Sequence, residues 1–131
     1  MLWGTLIEPT HEFAEFSVDD STLGVRMEGL RAVLDCATYT RLNLPEGLGL
    51  WVNADEAADG PVNQEATALA QRATGQAAPV IRGNAVVFGR DDYGAPVTLT
   101  DDQRATVVLW WRVATIHGSD PARLRPRMAL R

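Results

Sequence analysis

The sequence of 131 residues contains no lysine, one cysteine and two histidines. Its twelve positive charges are therefore all arginines, and eighteen alanines accompany them. Because arginine and alanine codons are rich in GC and lysine codons in AT, we expect the chain to come from a high-GC genome, bacterial or viral. The single cysteine, Cys36, excludes an internal disulfide and is typical of a reducing compartment.

Long apolar runs are also missing. The longest, from Val107 to Trp111, has five residues, against about 20 for a helix that spans a membrane. The residues from Met1 to Pro9 have neither the basic start nor the apolar stretch of a signal peptide. We therefore expect a soluble cytoplasmic protein without a membrane partner.

Motifs for catalysis and metal binding are scarce. His11 and His117 stand near opposite ends of the chain, and neither a Cys-x-x-Cys nor a His-x-x-x-His spacing occurs, so no metal site is predicted. Cys36 could act as a nucleophile only if the fold brought a histidine to it, and we expect it to be a small buried apolar residue instead. No catalytic residue and no cofactor is predicted, and an enzymatic function receives little support.

The net charge of −5 is unevenly distributed along the chain. Residues 1–60 carry eleven acids and three arginines, whereas residues 61–131 carry six acids and nine arginines. The acidic half argues against unspecific binding of nucleic acid. The last part of the chain holds a basic group, Arg123, Arg125, Arg127 and Arg131. We predict one domain over residues 1–118 and a basic tail over 119–131, with weak nucleic-acid contact through the tail as one hypothesis.

Apolar periodicity and turn residues predict an α+β fold. The pattern indicates a strand–turn–strand unit around Pro9-Thr10-His11 and a hairpin around Pro45-Glu46-Gly47. Three helices are predicted, on the residues Leu23, Met27, Leu30 and Leu34, on the segment 63–73 that ends at Gly75, and after the capping box Thr100-Asp101-Asp102-Gln103. We therefore expect a mainly antiparallel sheet of four to six strands with about three helices packed on it.

The third predicted helix is apolar around nearly its whole circumference and contains Trp110 and Trp111. Such a helix is either deeply buried or shared with another chain. Aromatic and arginine residues are enriched at the centres of interfaces. Our first hypothesis is therefore a non-enzymatic protein that binds a protein partner or itself through Trp110 and Trp111. The alternative, that both tryptophans fill the core of the monomer, stays open.

Several short motifs follow one another in a distinctive order: Leu6-Ile7-Glu8-Pro9, Met27-Glu28-Gly29-Leu30-Arg31, Leu48 to Asn53, Gly60 to Asn63, Ile81 to Val87 and Leu99 to Gln103. In order and spacing, over roughly residues 5–103, they resemble domain-of-unknown-function family 3846, small proteins of Gram-positive bacteria, their phages and mobile elements. The resemblance implies an accessory protein of a phage or mobile element, with no established activity. It implies nothing about the extension beyond Gln103.

Three asparagines of these motifs have two alternative uses. Asparagine tolerates left-handed backbone and caps helices, so Asn53 and Asn63 are expected in a turn and at a cap. Alternatively, Trp51, Asn53, Asn63 and Asn84 line one cleft and bind a small molecule, a nucleotide or a peptide, since asparagine offers both donors and an acceptor and tryptophan adds apolar area.

Overall fold

The computed structural model of this chain describes residues 1–10, 12–55, 60–117 and 124–125. Within these ranges the chain forms three helices, α1 (Leu23–Leu34), α2 (Gln64–Thr74) and α3 (Asp101–His117). The strands, in chain order, are β1 (Leu2–Ile7), β2 (Phe13–Val18), β3 (Tyr39–Leu44), β4 (Leu48–Asn53), β5 (Ala78–Pro79), β6 (Ala85–Arg90), β7 (Pro96–Val97) and β8 (Leu124–Arg125). The predicted α+β class is confirmed.

Six of these strands form the main sheet, in the order β2-β1-β6-β4-β3, with β7 also paired to β6. Neighbouring strands in this sheet run antiparallel throughout, as predicted. The two predicted hairpins, β1–β2 and β3–β4, do not pair with each other directly. Instead β6 lies between them, with Thr5 opposite Val87 on one side and Leu50 opposite Val87 on the other.

Local chemistry fixes the ends of these elements. The turn between β3 and β4 takes positive φ at Glu46 and Gly47, which suits a tight hairpin. The hydroxyl of Thr22 caps α1 by accepting a hydrogen bond from the amide of Val25. At the start of α3, the amide of Gln103 donates to the hydroxyl of Thr100, and the amide of Thr100 donates to Oε1 of Gln103. The predicted capping box is confirmed.

The sheet separates two apolar cores. Since side chains alternate along a strand, β6 directs Ala85 and Val87 to the core under α2 and α3, and Val86 and Phe88 to a smaller core under α1. Leu30 and Leu34 of α1 are buried in the smaller core, as their spacing predicted. Leu23, from the same predicted face, is exposed because it lies in the first turn of α1.

Both tryptophans of α3 are half-buried and pack against the core under α2 and α3. The ring of Trp111 stacks on Phe13 with centroids 4.4 Å apart, and its Nε1 donates a 2.6 Å hydrogen bond to Glu65 at the start of α2. Trp110 is half-buried against the core under α2 and α3. None of the described helices is long and apolar enough to cross a membrane.

Part of the predicted basic tail is described. β8 pairs in parallel with β5, so that Arg125 lies opposite Pro79 and Leu124 opposite Ala78. Arg123, Arg127 and Arg131 lie outside the described residues. The hypothesis of nucleic-acid contact through these arginines therefore stays a prediction.

A substitution at Gly4 tests how closely β1 approaches β6. A Cβ at this position would lie 2.5 Å from the ring of Phe88 and 2.5 Å from the backbone oxygen of Val87. We expect Gly4→Ala to lower the free energy of unfolding by about 2 kcal/mol, as overpacking does, measured by urea denaturation. Gly24→Ala is the matched control, since nothing lies within 4 Å of a Cβ there. Equal stabilities of the two variants would contradict the prediction.

Candidate functional site

A cleft of about 510 Å³ opens at one end of the main sheet. β1 and β4 end at this edge and β6 begins there, because β6 runs antiparallel to both. The end of α1 and the segment at Gly60 and Pro61 complete the walls. Six polar side chains line the cleft, those of Glu8, Thr10, Asp35, Asn53, Arg82 and Asn84. The volume lies within the range of small-molecule sites, about 300–1,000 Å³.

The side chain of Asn63 connects the segments that form the walls of this cleft. Its side chain is fully buried, and its Oδ1 accepts a 3.0 Å hydrogen bond from the amide of Ala66, which caps α2. Its Nδ2 donates to the carbonyl oxygens of Ile7 and Gly83, both at 2.9 Å. Ile7 directly precedes Glu8, and Gly83 directly precedes Asn84. Asn63 therefore positions the cleft, and its predicted use as a helix cap is confirmed.

A second buried side chain, that of Thr67, adds hydrogen bonds between the start of α2 and the segment before β6. The hydroxyl of Thr67 donates to the carbonyl oxygen of Asn63 at 2.9 Å and accepts from the amide of Ile81 at 3.0 Å. The amide of Asn63 donates to the carbonyl oxygen of Ile81 at 2.7 Å, and that of Gly83 donates to Pro61 at 2.8 Å. The segment that carries Arg82 and Asn84 is therefore fixed to the start of α2.

Asn53 and Asn84 both line the cleft, and each uses one of the two polar groups of its side-chain amide in a hydrogen bond within the chain. Oδ1 of Asn53 accepts from the amide of Asp55 at 2.8 Å, which makes the predicted turn. Nδ2 of Asn84 donates to the carbonyl oxygen of Val33 near the end of α1, also at 2.8 Å. Among the described residues, Nδ2 of Asn53 and Oδ1 of Asn84 have no hydrogen-bond partner. One donor and one acceptor are thus left for a ligand.

Three charged side chains enter the cleft from separate elements. Asp35 ends α1 in the left-handed conformation, with its amide bonded to the last turn. Arg82 lies between α2 and β6, and its Nη1 donates to the carbonyl oxygen of Gly60 at 3.2 Å. Glu8 follows β1. A hydrogen bond with the side chain of Glu12 raises the pKa of the Glu8 carboxyl, and burial and repulsion by Glu12 raise it further.

Trp51 does not line this cleft, contrary to the second reading of the sequence. It is buried in the smaller core, where its ring meets Phe88 edge-on at 5.6 Å. Gly49 makes room for it, since a Cβ there would lie 2.7 Å from the indole ring. Although Trp51 and Asn53 share a face of β4, only the end of the strand reaches the cleft.

Glu8, Asp35 and Arg82 also line the cleft, although no motif in the sequence indicates them as site residues. Glu8 directly follows the first predicted strand, Asp35 directly follows the first predicted helix, and Arg82 lies directly before Gly83-Asn84 within the motif from Ile81 to Val87. That position was the available signal. It selects these three only once the order of the strands is known, because the order brings the ends together.

Cys36 takes no part in the lining of the cleft. It is half-buried and packs against the smaller core. Burial raises the pKa of its thiol, Asp35 raises it further and Arg31 opposes the shift, so the unreactive thiol form is favoured. The described part of the chain holds no group of three or more histidine, cysteine or acidic side chains that could bind a metal ion.

Asn63→Asp tests the positioning role of Asn63. The substitution keeps an oxygen to cap α2 but removes both donated hydrogen bonds and sets a carboxylate against the carbonyl oxygens of Ile7 and Gly83. We expect the free energy of unfolding at neutral pH to fall by about 3 kcal/mol, because a buried and a partly buried acceptor lose their donor. Asn43→Asp, at an exposed position of β3, is the control in the same urea denaturation, and a similar loss there would contradict the assignment.

No family model, curated protein or solved structure matches this chain. The resemblance to domain-of-unknown-function family 3846, and the accessory role in a phage or mobile element that it implies, stay predictions.

Proposed function

We propose that this protein is a binding protein that takes a small polar ligand in the cleft at the end of the sheet. The observation that carries the proposal is the pair Asn53 and Asn84. Both line the same cleft of about 510 Å³. Among the described residues, the donor Nδ2 of Asn53 and the acceptor Oδ1 of Asn84 have no hydrogen-bond partner. A ligand with a matching acceptor and donor gains two directed hydrogen bonds there.

The walls of the cleft are also held in place by hydrogen bonds without a ligand. The hydrogen bonds of Asn63 and Thr67 fix the segments that precede Glu8 and Asn84. Little ordering is then needed on binding, which is the main way that a site gains affinity without new contacts. The polar groups of the cleft suit recognition through hydrogen bonds and charge, and we propose a function that is not enzymatic.

Asn53→Asp tests this site with little change of shape. An aspartate keeps the oxygen that accepts from Asp55 but replaces the donor Nδ2 by a second acceptor. The measurement is thermal unfolding of the wild type with millimolar amino acids, nucleosides, monosaccharides and polyamines in turn. We expect one of these classes to stabilise the protein, by about 2.7 kcal/mol at a hundredfold excess over Kd, and Asn53→Asp to weaken that binding at least tenfold.

Asn43→Asp serves as the control, since it makes the same chemical change on an exposed position away from the cleft. Absence of stabilisation by every class, or equal binding by wild type and Asn53→Asp, would refute the proposed site.

A second candidate function, contact between two copies of the chain, is favoured by the outer face of α3. Trp110 and Trp111 face inward, but Leu109 and Ile116 are 61% and 76% exposed. They lie seven residues apart, two turns of helix, with the exposed Arg112 between them. In an antiparallel two-fold pairing of α3, Leu109 of one copy meets Ile116 of the other, and the two Arg112 side chains come close.

Light scattering tests this pairing. We expect the wild type to form dimers, and more of them at high salt, because salt screens the repulsion between the Arg112 side chains. The double variant Leu109→Ser/Ile116→Ser is expected to be monomeric. Leu23→Ser is the matched control, since Leu23 is 62% exposed on α1, across the sheet from α3. A monomeric wild type at all salt concentrations would rule out the pairing.

A further inference from the structure

The charged side chains of the cleft do not form ion pairs with one another. Glu8, Asp35 and Arg82 line the same cleft. Within the described part of the chain, no side-chain nitrogen of Arg82 lies within 4.0 Å of a carboxyl oxygen, and neither Glu8 nor Asp35 forms an ion pair. Opposite charges that share a cleft without touching leave space between them. A ligand that carries both signs of charge fills that space with two favourable contacts.

From this arrangement, and resting on the proposed binding function, we infer that the ligand is a zwitterion with an ammonium group and a carboxylate. A free amino acid and a short peptide share this chemistry. The carboxylates of Glu8 and Asp35 receive the ammonium group, and the guanidinium of Arg82 receives the carboxylate.

The side-chain amides of Asn53 and Asn84 support the same placement of the ligand's ammonium group and carboxylate. An ammonium group has three donors and no acceptor, whereas a carboxylate only accepts. The unused Oδ1 of Asn84 is a further acceptor for the ammonium group, and the unused Nδ2 of Asn53 is a further donor for the carboxylate. The cleft thus offers three acceptor groups and two donor groups to a ligand that needs both kinds.

The position of Asp35 at the end of α1 adds to the preference for a cation. Its backbone amide is bonded to the carbonyl oxygens of Ala32 and Arg31, which holds the residue at the carboxyl-terminal end of the helix. That end carries the negative part of the helix dipole. A positive group beside Asp35 therefore meets the carboxylate and the helix end together.

The experiment uses the full chain and isothermal titration calorimetry. Each of the twenty free amino acids is titrated first. The best binder is then compared with its N-acetyl form, which has lost the ammonium charge, with its amide, which has lost the carboxylate, and with its dipeptides with glycine. We expect each blocked form to bind at least tenfold more weakly than the free amino acid. Tighter binding of a dipeptide identifies a peptide as the source, and tighter binding of the free form identifies an amino acid.

Two variants assign the charges to the two ends of the ligand. Asp35→Asn keeps a residue that tolerates the left-handed conformation, and it is expected to weaken the free amino acid and the amide but to leave the N-acetyl form unchanged. Arg82→Gln is expected to weaken the free amino acid and the N-acetyl form but to leave the amide unchanged, with rescue by Arg82→Lys. Arg72→Gln, at an exposed arginine of α2 away from the cleft, is expected to change neither.

The outcomes separate this inference from the proposed function. Binding of a sugar or nucleoside in the cleft without binding of any amino acid overturns the zwitterion and leaves the proposed function standing. Equal affinity for the free, acetylated and amidated forms overturns it as well. Failure of every probe of the earlier panel to bind overturns the proposed function itself.

Discussion

The side chain of Asn63 makes three hydrogen bonds to three separate parts of the chain, and the site depends on them. It caps α2, holds the end of β1 through Ile7 and holds the start of β6 through Gly83. Because the side chain is fully buried, each of these backbone groups would otherwise lack a partner away from water. A single amide thus joins the helix layer to two strands of the sheet and fixes the edge at which the cleft opens.

The parts of the fold that follow from local chemistry could be predicted from the sequence. Alternating side chains and the turn at Pro45-Glu46-Gly47 determine the hairpin of β3 and β4, and the capping box at Thr100 determines the start of α3. Asn63 caps α2 and Asn53 makes a turn, and both roles follow from the ability of an asparagine side chain to bond to nearby backbone amides. These features depend on residues that are close in the sequence, so no knowledge of the order of the whole sheet is needed.

The site could be predicted only in part, because its members come together through the strand order. Asn53 and Asn84 were selected from the sequence, but Glu8, Asp35 and Arg82 enter the cleft because β6 lies between β1 and β4. The prediction that Trp51 lines the cleft is wrong for a related reason. Its alternation along β4 predicts a face but not what covers that face, and here α1 covers it. The apolar circumference of α3 likewise divides into half-buried tryptophans and exposed Leu109 and Ile116 only when the sheet is in place.

The central place of β6 has a consequence for how the chain folds. Residues 85–90 are synthesised after both hairpins, yet they supply the strand that joins them. An isolated hairpin is only marginally stable in water. Neither β1–β2 nor β3–β4 is therefore expected to be stable before β6 is available to pair with it. Pairs as distant in sequence as Thr5 and Val87 are slow to form. The two hairpins therefore become parts of one sheet only when residues 85–90 pair with both of them, and a chain that ends before this strand leaves the inner edges of both hairpins unpaired.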